Sequence, residues 1–252
     1  MGRAGGWNRM LIINADDWGR SRAETDAALR CYQGGRITSV SAMVFMADSE
    51  RAAQLAKENE LDVGLHLNFA ERFTGERIAA TLQNYQRKIA GFVTRRRYSQ
   101  VLYNPFLRRE FSYSYKAQSE EFTRLFGKPP SHFDGHHHMH LCANLLLSSL
   151  IPAGMKVRRN FSFWPGEKSR FNRAYRAFVD RWLARRYRLT DYFFDLTQCL
   201  EEKKIDRVVS LAKSSTLELM THPIAPRETA YLMSDEFFEL LQRLEVGGYA
   251  LV

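Results

Sequence analysis

Five of the seven histidines in this chain fall between positions 132 and 140, in Ser131-His132-Phe133-Asp134-Gly135-His136-His137-His138-Met139-His140. The other two are His66, in Gly64-Leu65-His66-Leu67-Asn68, and His222, in Met220-Thr221-His222-Pro223. An acidic pair, Asp16-Asp17, follows the apolar run Leu11-Ile12-Ile13. Imidazoles and carboxylates are the side chains of hydrolytic divalent centres, where two histidines and one carboxylate leave positions open for water and substrate. A cation so held lowers the pKa of water toward ~7 and supplies a nucleophile at neutral pH. Each piece also has a plainer reading. His66 alone would be a hydrogen-bonded structural histidine, Asp16-Asp17 a helix cap with a turn acid, and His136–His140 a surface tract that scavenges metal. What argues against all three plain readings together is where these residues stand along the chain.

They stand at the carboxyl ends of strands. Met10–Asn14 reads as a buried strand, followed by a helix over Ala23–Gln33 that stops at Gly34-Gly35. Ile37–Phe45 and Leu61–Leu67 are further strands, with a helix between them that Asp48 caps and that runs through Glu58. A basic, less regular βα excursion occupies residues 69 to 115, before a helix at Ser119–Phe126 and a strand at His132–His136. Strands at Met155–Arg158, Tyr192–Leu196, Thr216–His222 and Tyr249–Val252 follow, with a helical stripe over Glu167–Arg188. Strands alternating with helices imply parallel pairing, since parallel neighbours need crossover connections. Seven or eight of them in series predict an α/β protein, a single-domain distorted (β/α) barrel over residues 1–252. In such a barrel every strand opens on one face, which is where active sites sit. Four distant segments therefore deliver acids and imidazoles to one rim.

Composition narrows the class. With 252 residues, 45% hydrophobic and 26% charged, the chain is neither disordered, collagen-like nor a coiled coil. No apolar run approaches the ~18–20 residues of a membrane span. Met1–Met10 lacks the ~7–15 apolar residues of a signal peptide. Cys31, Cys142 and Cys199 are scattered and odd in number, which argues against a disulfide framework. The expectation is a cytoplasmic protein. Its net charge of +9 is uneven: residues 85–190 hold 21 Lys and Arg against 6 Asp and Glu. Such a field attracts nucleic acid, lipid head groups or an acidic glycan, or simply solvates the surface. No RNP-like motif supports RNA, so no nucleic-acid partner is expected. Phe171, Tyr175, Phe178, Val179, Trp182 and Leu183 recur at helical spacing among Arg170, Arg173, Arg176, Arg181 and Arg185. The favoured reading is a core-facing helix with a basic outer side. The sharper one is an interfacial helix making peripheral contact with anionic membrane at the inner membrane surface.

Five segments together carry a resemblance: Asn14-Ala15-Asp16-Asp17-Trp18-Gly19, Gly35-Arg36-Ile37-Thr38-Ser39, Gly64-Leu65-His66-Leu67, His132 through His140, and Glu218-Leu219-Met220-Thr221-His222-Pro223. In this order, over residues 11 to 223, the chain resembles the YdjC-like carbohydrate deacetylases, the family of chitooligosaccharide deacetylase with hopanoid-cluster relatives. The resemblance implies a barrel related to polysaccharide deacetylases. It implies one divalent ion, magnesium by resemblance with zinc also suited, held by Asp17, His66 and His136. Asp16 would be the base that takes a proton from the attacking water, and His222 the acid for the leaving amine. Arg158 would orient the base, and His138 and His140 would hydrogen-bond ligands or substrate. Adjacency leaves Asp16 and Asp17 exchangeable. Trp18 stands where the family usually has Phe and would reshape the floor of the sugar pocket. After His66, Asn68-Phe69-Ala70-Glu71-Arg72-Phe73 departs from the family pattern. The implied activity is removal of acetyl from an N-acetylated amino sugar in an oligosaccharide, glycan or glycolipid, anionic or lipid-linked, by an enzyme that forms a homodimer. The alternatives are a metal-dependent phosphoesterase or amidohydrolase, and a non-catalytic binder of anionic glycans.

Overall fold

The apolar run at Met10 becomes the central strand of a parallel sheet. In the computed structural model, which describes residues 9–96 and 98–252, β1 (Met10–Trp18) is buried along its whole length. A strand covered on both faces needs apolar residues at odd and even positions alike, and Met10-Leu11-Ile12-Ile13 supplies them. β2 (Ser39–Ala42), β3 (Val63–Leu67), β4 (Phe133–Gly135), β5 (Tyr192–Asp195) and β6 (Thr216–Thr221) complete the order β4-β3-β2-β1-β6-β5, with every pair parallel. Around the sheet lie α1 (Arg22–Gln33), α2 (Ser49–Glu58), α3 (Ala80–Val93), α4 (Arg108–Phe126) and α5 (Ala143–Leu146). They are followed by α6 (Arg170–Leu183), α7 (Leu196–Glu201), α8 (Ile205–Ala212), α9 (Pro226–Leu232) and α10 (Asp235–Leu241). Ile13, Val40, Leu65 and Leu219 of the strands share one apolar core with Ala28 of α1, Ala53 of α2, and Phe111 and Phe122 of α4.

The expected seven or eight strands reduce to six among the described residues. Met155–Arg158 is held by single bridges instead: Phe133 N–H donates to the Lys156 carbonyl and Arg158 N–H to the Phe133 carbonyl. On the other side Val157 N–H donates to Arg188 O, and Ser162 N–H to Phe193 O. This irregular strip joins edge strand β4 to edge strand β5, so the curled sheet is a half-barrel whose gap one segment spans. Tyr249–Val252 is not a strand either; Tyr249–Leu251 forms a 3-10 turn. Gly248 lies so close to Asp62 that a Cβ would sit 2.2 Å from its carboxylate. That approach lets the Asp62 carboxylate accept the Ala250 N–H at 2.6 Å, turning the chain end inward.

Three other expectations change. Asp48 precedes α2 but makes no side-chain cap bond, because Arg51 occupies its carboxylate at 2.8 Å. The 69–115 excursion holds α3, 3-10 turns at Ser99–Val101 and Pro105–Leu107, and the first turns of α4. Gln86 and Gln118 from these helices donate to the Asn68 carbonyl just beyond His66, so the excursion braces the loop after β3. On α6 only Val179, Asp180 and Leu183 are buried, while Phe171, Tyr175, Phe178 and Trp182 face solvent. The expected core-facing aromatic stripe is therefore an exposed one. The readings of residues 1–8 and of Arg97 lie outside the described residues.

Candidate active site

Side chains alternate faces along a regular strand, so adjacent acids should point apart. Between Ala15 and Trp18 the β1–β2 register shifts, and Asp17 takes a left-handed backbone with φ 64°. Such a bulge re-aims a side chain at the cost of about 1–2 kcal/mol for the left-handed residue. Its result is that both acids reach one imidazole: His66 Nε2 lies 3.4 Å from Asp17 Oδ1 and 3.9 Å from Asp16 Oδ2. A second strained turn delivers His136. β4 ends at Gly135, where a Cβ would sit 2.7 Å from the His140 nitrogen, and His137 and His138 are both left-handed. The chain folds back sharply there, and His136 Nδ1 comes within 2.8 Å of Asp17 Oδ1. Ligand atoms of Asp17, His66 and His136 all lie within 4.8 Å of one another, and all three residues are buried.

Beneath this trio lies a buried ionic lattice centred on Arg158, which is 0% exposed. Its guanidinium donates to both oxygens of Asp16 at 2.7 Å, to Asp134 at 2.6 Å, and to Glu218 at 2.7 and 2.8 Å. Asn14 holds Asp16 Oδ1 at 2.9 Å and is itself held by Ser39 and Ser41 at 2.8 Å. Asp134 also accepts from Ser41 at 2.9 Å and from His66 Nδ1 at 2.9 Å. The Tyr249 hydroxyl donates to Glu218.

The electrostatics follow from these contacts. Burial works against ionisation of Asp17, but hydrogen bonds from His136 and His66 and their charges hold its carboxyl far below the usual range. Asp134 is likewise held well down against burial, by Arg158 and His66. Burial disfavours protonated His66, yet Asp134, Asp16 and Asp17 together push it up to about 10. Burial raises Glu218 to about 7 in spite of Arg158 and Tyr249. Three buried carboxylates surround one guanidinium, and Asp17 adds a fourth beside the two imidazoles, so acids outnumber that fixed cation.

Asp16, Asp17, His66, His136 and Arg158 are thus brought together. His222 is placed with a different group: its ligand atom and those of Asp195 and Glu228 lie within 4.8 Å of one another at the ends of β5 and β6. His138 packs edge-on against Phe161 and Phe193. His140 donates from Nε2 to the Arg158 carbonyl at 3.0 Å, bonding the strip that carries the arginine. Trp18 is fully buried in the core, its indole N–H donating to the Ala52 carbonyl of α2. It therefore ties β1 to α2. Three acids went unassigned in the sequence: Asp134, Glu218 and Glu71. The first two carry a visible signal, a charge inside an otherwise apolar buried strand. Glu71 sits in the departure after His66, 3.0 Å from His136 Nε2, and pairs with Arg20 at 2.8 Å.

Residues 10–243 match the YdjC-like protein family. The chain belongs to that family. It is 29% identical over 251 residues to a chitooligosaccharide deacetylase of Proteus mirabilis, an alignment covering 94% of this chain and 89% of that one. It is 32% identical over 136 residues to a chitooligosaccharide deacetylase of Serratia marcescens, where 53% of this chain and 51% of the relative align. That second match spans about half of this YdjC-like chain and half of the relative. Among solved structures, a candidate cellobiose-phosphate cleavage protein of Enterococcus faecalis V583 has the same fold. The TM-score is 0.67 at 18% identity, over 96% of this chain and 98% of that one.

Proposed function

We propose that the chain hydrolyses the N-acetyl group of an amino sugar in an oligosaccharide, glycan or glycolipid, with a divalent cation held by Asp17, His66 and His136. The observation that carries this is the convergence of two imidazoles on one left-handed aspartate. It gains weight from family relatives named as deacetylases. The donor set suits a cation on its chemistry. His66 has Nδ1 committed to Asp134, the outer-sphere arrangement that leaves Nε2 free as a ligand. The surplus of buried carboxylates also calls for positive charge. A divalent cation held by these three residues would supply Lewis acidity, polarising the acetyl carbonyl and making the attacking water more acidic.

The chain's own residues supply the proton transfers. Asp16 accepts a proton from the attacking water, and Arg158 fixes its orientation through two parallel N–H···O bonds. An amide nitrogen is a poor leaving group until protonated, and His222 donates that proton. Glu228 accepts the His222 backbone N–H at 2.5 Å and so anchors the residue.

Acetate release from a panel of N-acetyl sugars, by protein reconstituted with Mg²⁺ or Zn²⁺, tests the reading beside Asp17→Asn and His136→Ala. Acetate is expected from the native chain, with loss of at least about a hundredfold in either variant. Activity that survives both substitutions overturns the cation mechanism. Phosphate release from sugar phosphates, with no acetate from any N-acetyl sugar, favours the phosphoesterase alternative.

A further inference from the structure

Helix α6 carries four exposed aromatic side chains: Phe171 is 83% exposed, Phe178 60%, Trp182 43% and Tyr175 41%. At about 100° per residue these positions fall within an arc of roughly 60°, a straight apolar stripe along the outside of the half-barrel. The stripe continues onto its neighbours. The Trp182 indole donates to the Leu146 carbonyl at 3.4 Å, beside Leu147, which is 61% exposed. Through α5, Asn144 and Asn104 exchange bonds at 2.8 and 2.9 Å, linking a loop on which Leu102 and Phe106 also stand exposed. Isolated surface apolar residues need no explanation, but a contiguous set of large ones marks an interaction surface.

The charge around the stripe selects the partner. Arg170 and Arg181 flank it on the side away from the core, and Arg185 lies against Trp182. Arg95, Arg96, Arg108 and Arg109 are exposed around the linked loop. Residues 168 to 190 contain a single acid, Asp180, which is buried and bound to Arg159 and Asn160. A second copy of this chain would bring arginine against arginine, so self-association is disfavoured. A flat anionic surface with an apolar interior answers both features at once.

We propose that α6 and the 102–106 loop dock the protein side-on to an anionic lipid bilayer, with the aromatic stripe at the head-group boundary and the arginines on the lipid phosphates. The chain enters α6 from the carboxyl end of the strip that carries Arg158 and leaves it toward the amino end of β5. Phe171 therefore stands at the same end of the half-barrel as the candidate site, and Trp182 toward the other. Docking is a binding property and stands or falls independently of the deacetylation reading.

The test is co-sedimentation with phosphatidylglycerol–phosphatidylcholine vesicles and with phosphatidylcholine alone, across a salt series, beside analytical ultracentrifugation without lipid. Binding is expected on the anionic vesicles only, weakening as salt rises. Phe171→Ser with Phe178→Ser should lower it at least about tenfold, and Arg181→Gln about fivefold, with circular dichroism unchanged because all three side chains are exposed. Absence of binding to anionic vesicles at low salt overturns the proposal, as does binding that the double substitution leaves intact. Self-association that the double substitution abolishes would make this face a dimer interface and overturn it equally.

Discussion

His66 commits Nδ1 to Asp134 at 2.9 Å, and that hydrogen bond leaves Nε2 as the nitrogen facing Asp17, 3.4 Å away. Asp134 in turn is bound to Arg158 at 2.6 Å, which grips Asp16 on its other side. One carboxylate, absent from the apparent ligand set, thus fixes the direction of an imidazole and of the acid opposite.

Asp134→Asn keeps the shape but sets an amide N–H₂ against donors of Arg158 and Ser41. Divalent-cation affinity should fall about 10- to 100-fold, with far-UV circular dichroism unchanged. Titration calorimetry giving native affinity would remove Asp134 from this role.

Arg158 is the shared cation of three buried carboxylates, and removing one partner of such a lattice leaves uncompensated charge. Arg158→Met should cost about 3–5 kcal/mol in urea unfolding. Arg158→Lys, which keeps the charge but loses the parallel pair of bonds to Asp16, should recover much of the stability and little of the activity. A methionine variant as stable as the native chain would show that the lattice contributes nothing to folding.

Acid should destabilise the protein through its buried histidines. Burial holds His132 and His140 down at about 4, whereas an unfolded histidine takes its proton near ~6.5. Between those values the unfolded chain binds more protons, so stability is lost as pH falls from 6.5 toward 4. Glu218 acts in the opposite sense: raised to about 7, it stays protonated in the fold after the unfolded chain has ionised, and stability drops as pH climbs from about 4.5 to 7. Urea midpoints measured from pH 4 to 8 should therefore show Glu218→Gln declining less toward neutrality than the native chain. Parallel curves for the two would contradict the assignment.

Cation binding should compete with protons. With Asp134, Asp16 and Asp17 outweighing burial, His66 keeps a proton up to about pH 10, and a ligand imidazole must be neutral. Affinity should rise about tenfold per pH unit through neutrality, with one proton released per cation. Calorimetry in two buffers of different ionisation heat measures that proton; identical apparent enthalpies would exclude it.

Much of this was written in local pattern. β1, β3 and β6 are legible because strands buried on both faces are rich in apolar residues, and their ends mark Asp17, His66 and His222. Met155–Arg158 reads as a strand in the sequence but is held only by single bridges to Phe133 and Arg188, a difference that leaves no periodic signature. The α6 stripe leaves both a core-facing and an interfacial reading open in the sequence for a related reason: helical spacing says which residues share a face, and only the neighbours say whether that face is covered.

Residue types and their places at strand ends were thus determined by the sequence itself, since they depend on near neighbours along the chain. The left-handed turn at Asp17, the choice of Asp134 to aim His66, and the grip of Arg158 on Asp16 across 142 positions were decided by tertiary structure. Such contacts exist only once sheet order sets β1 and the 155–162 strip around one interior, where a buried charge must find its partners or not be tolerated.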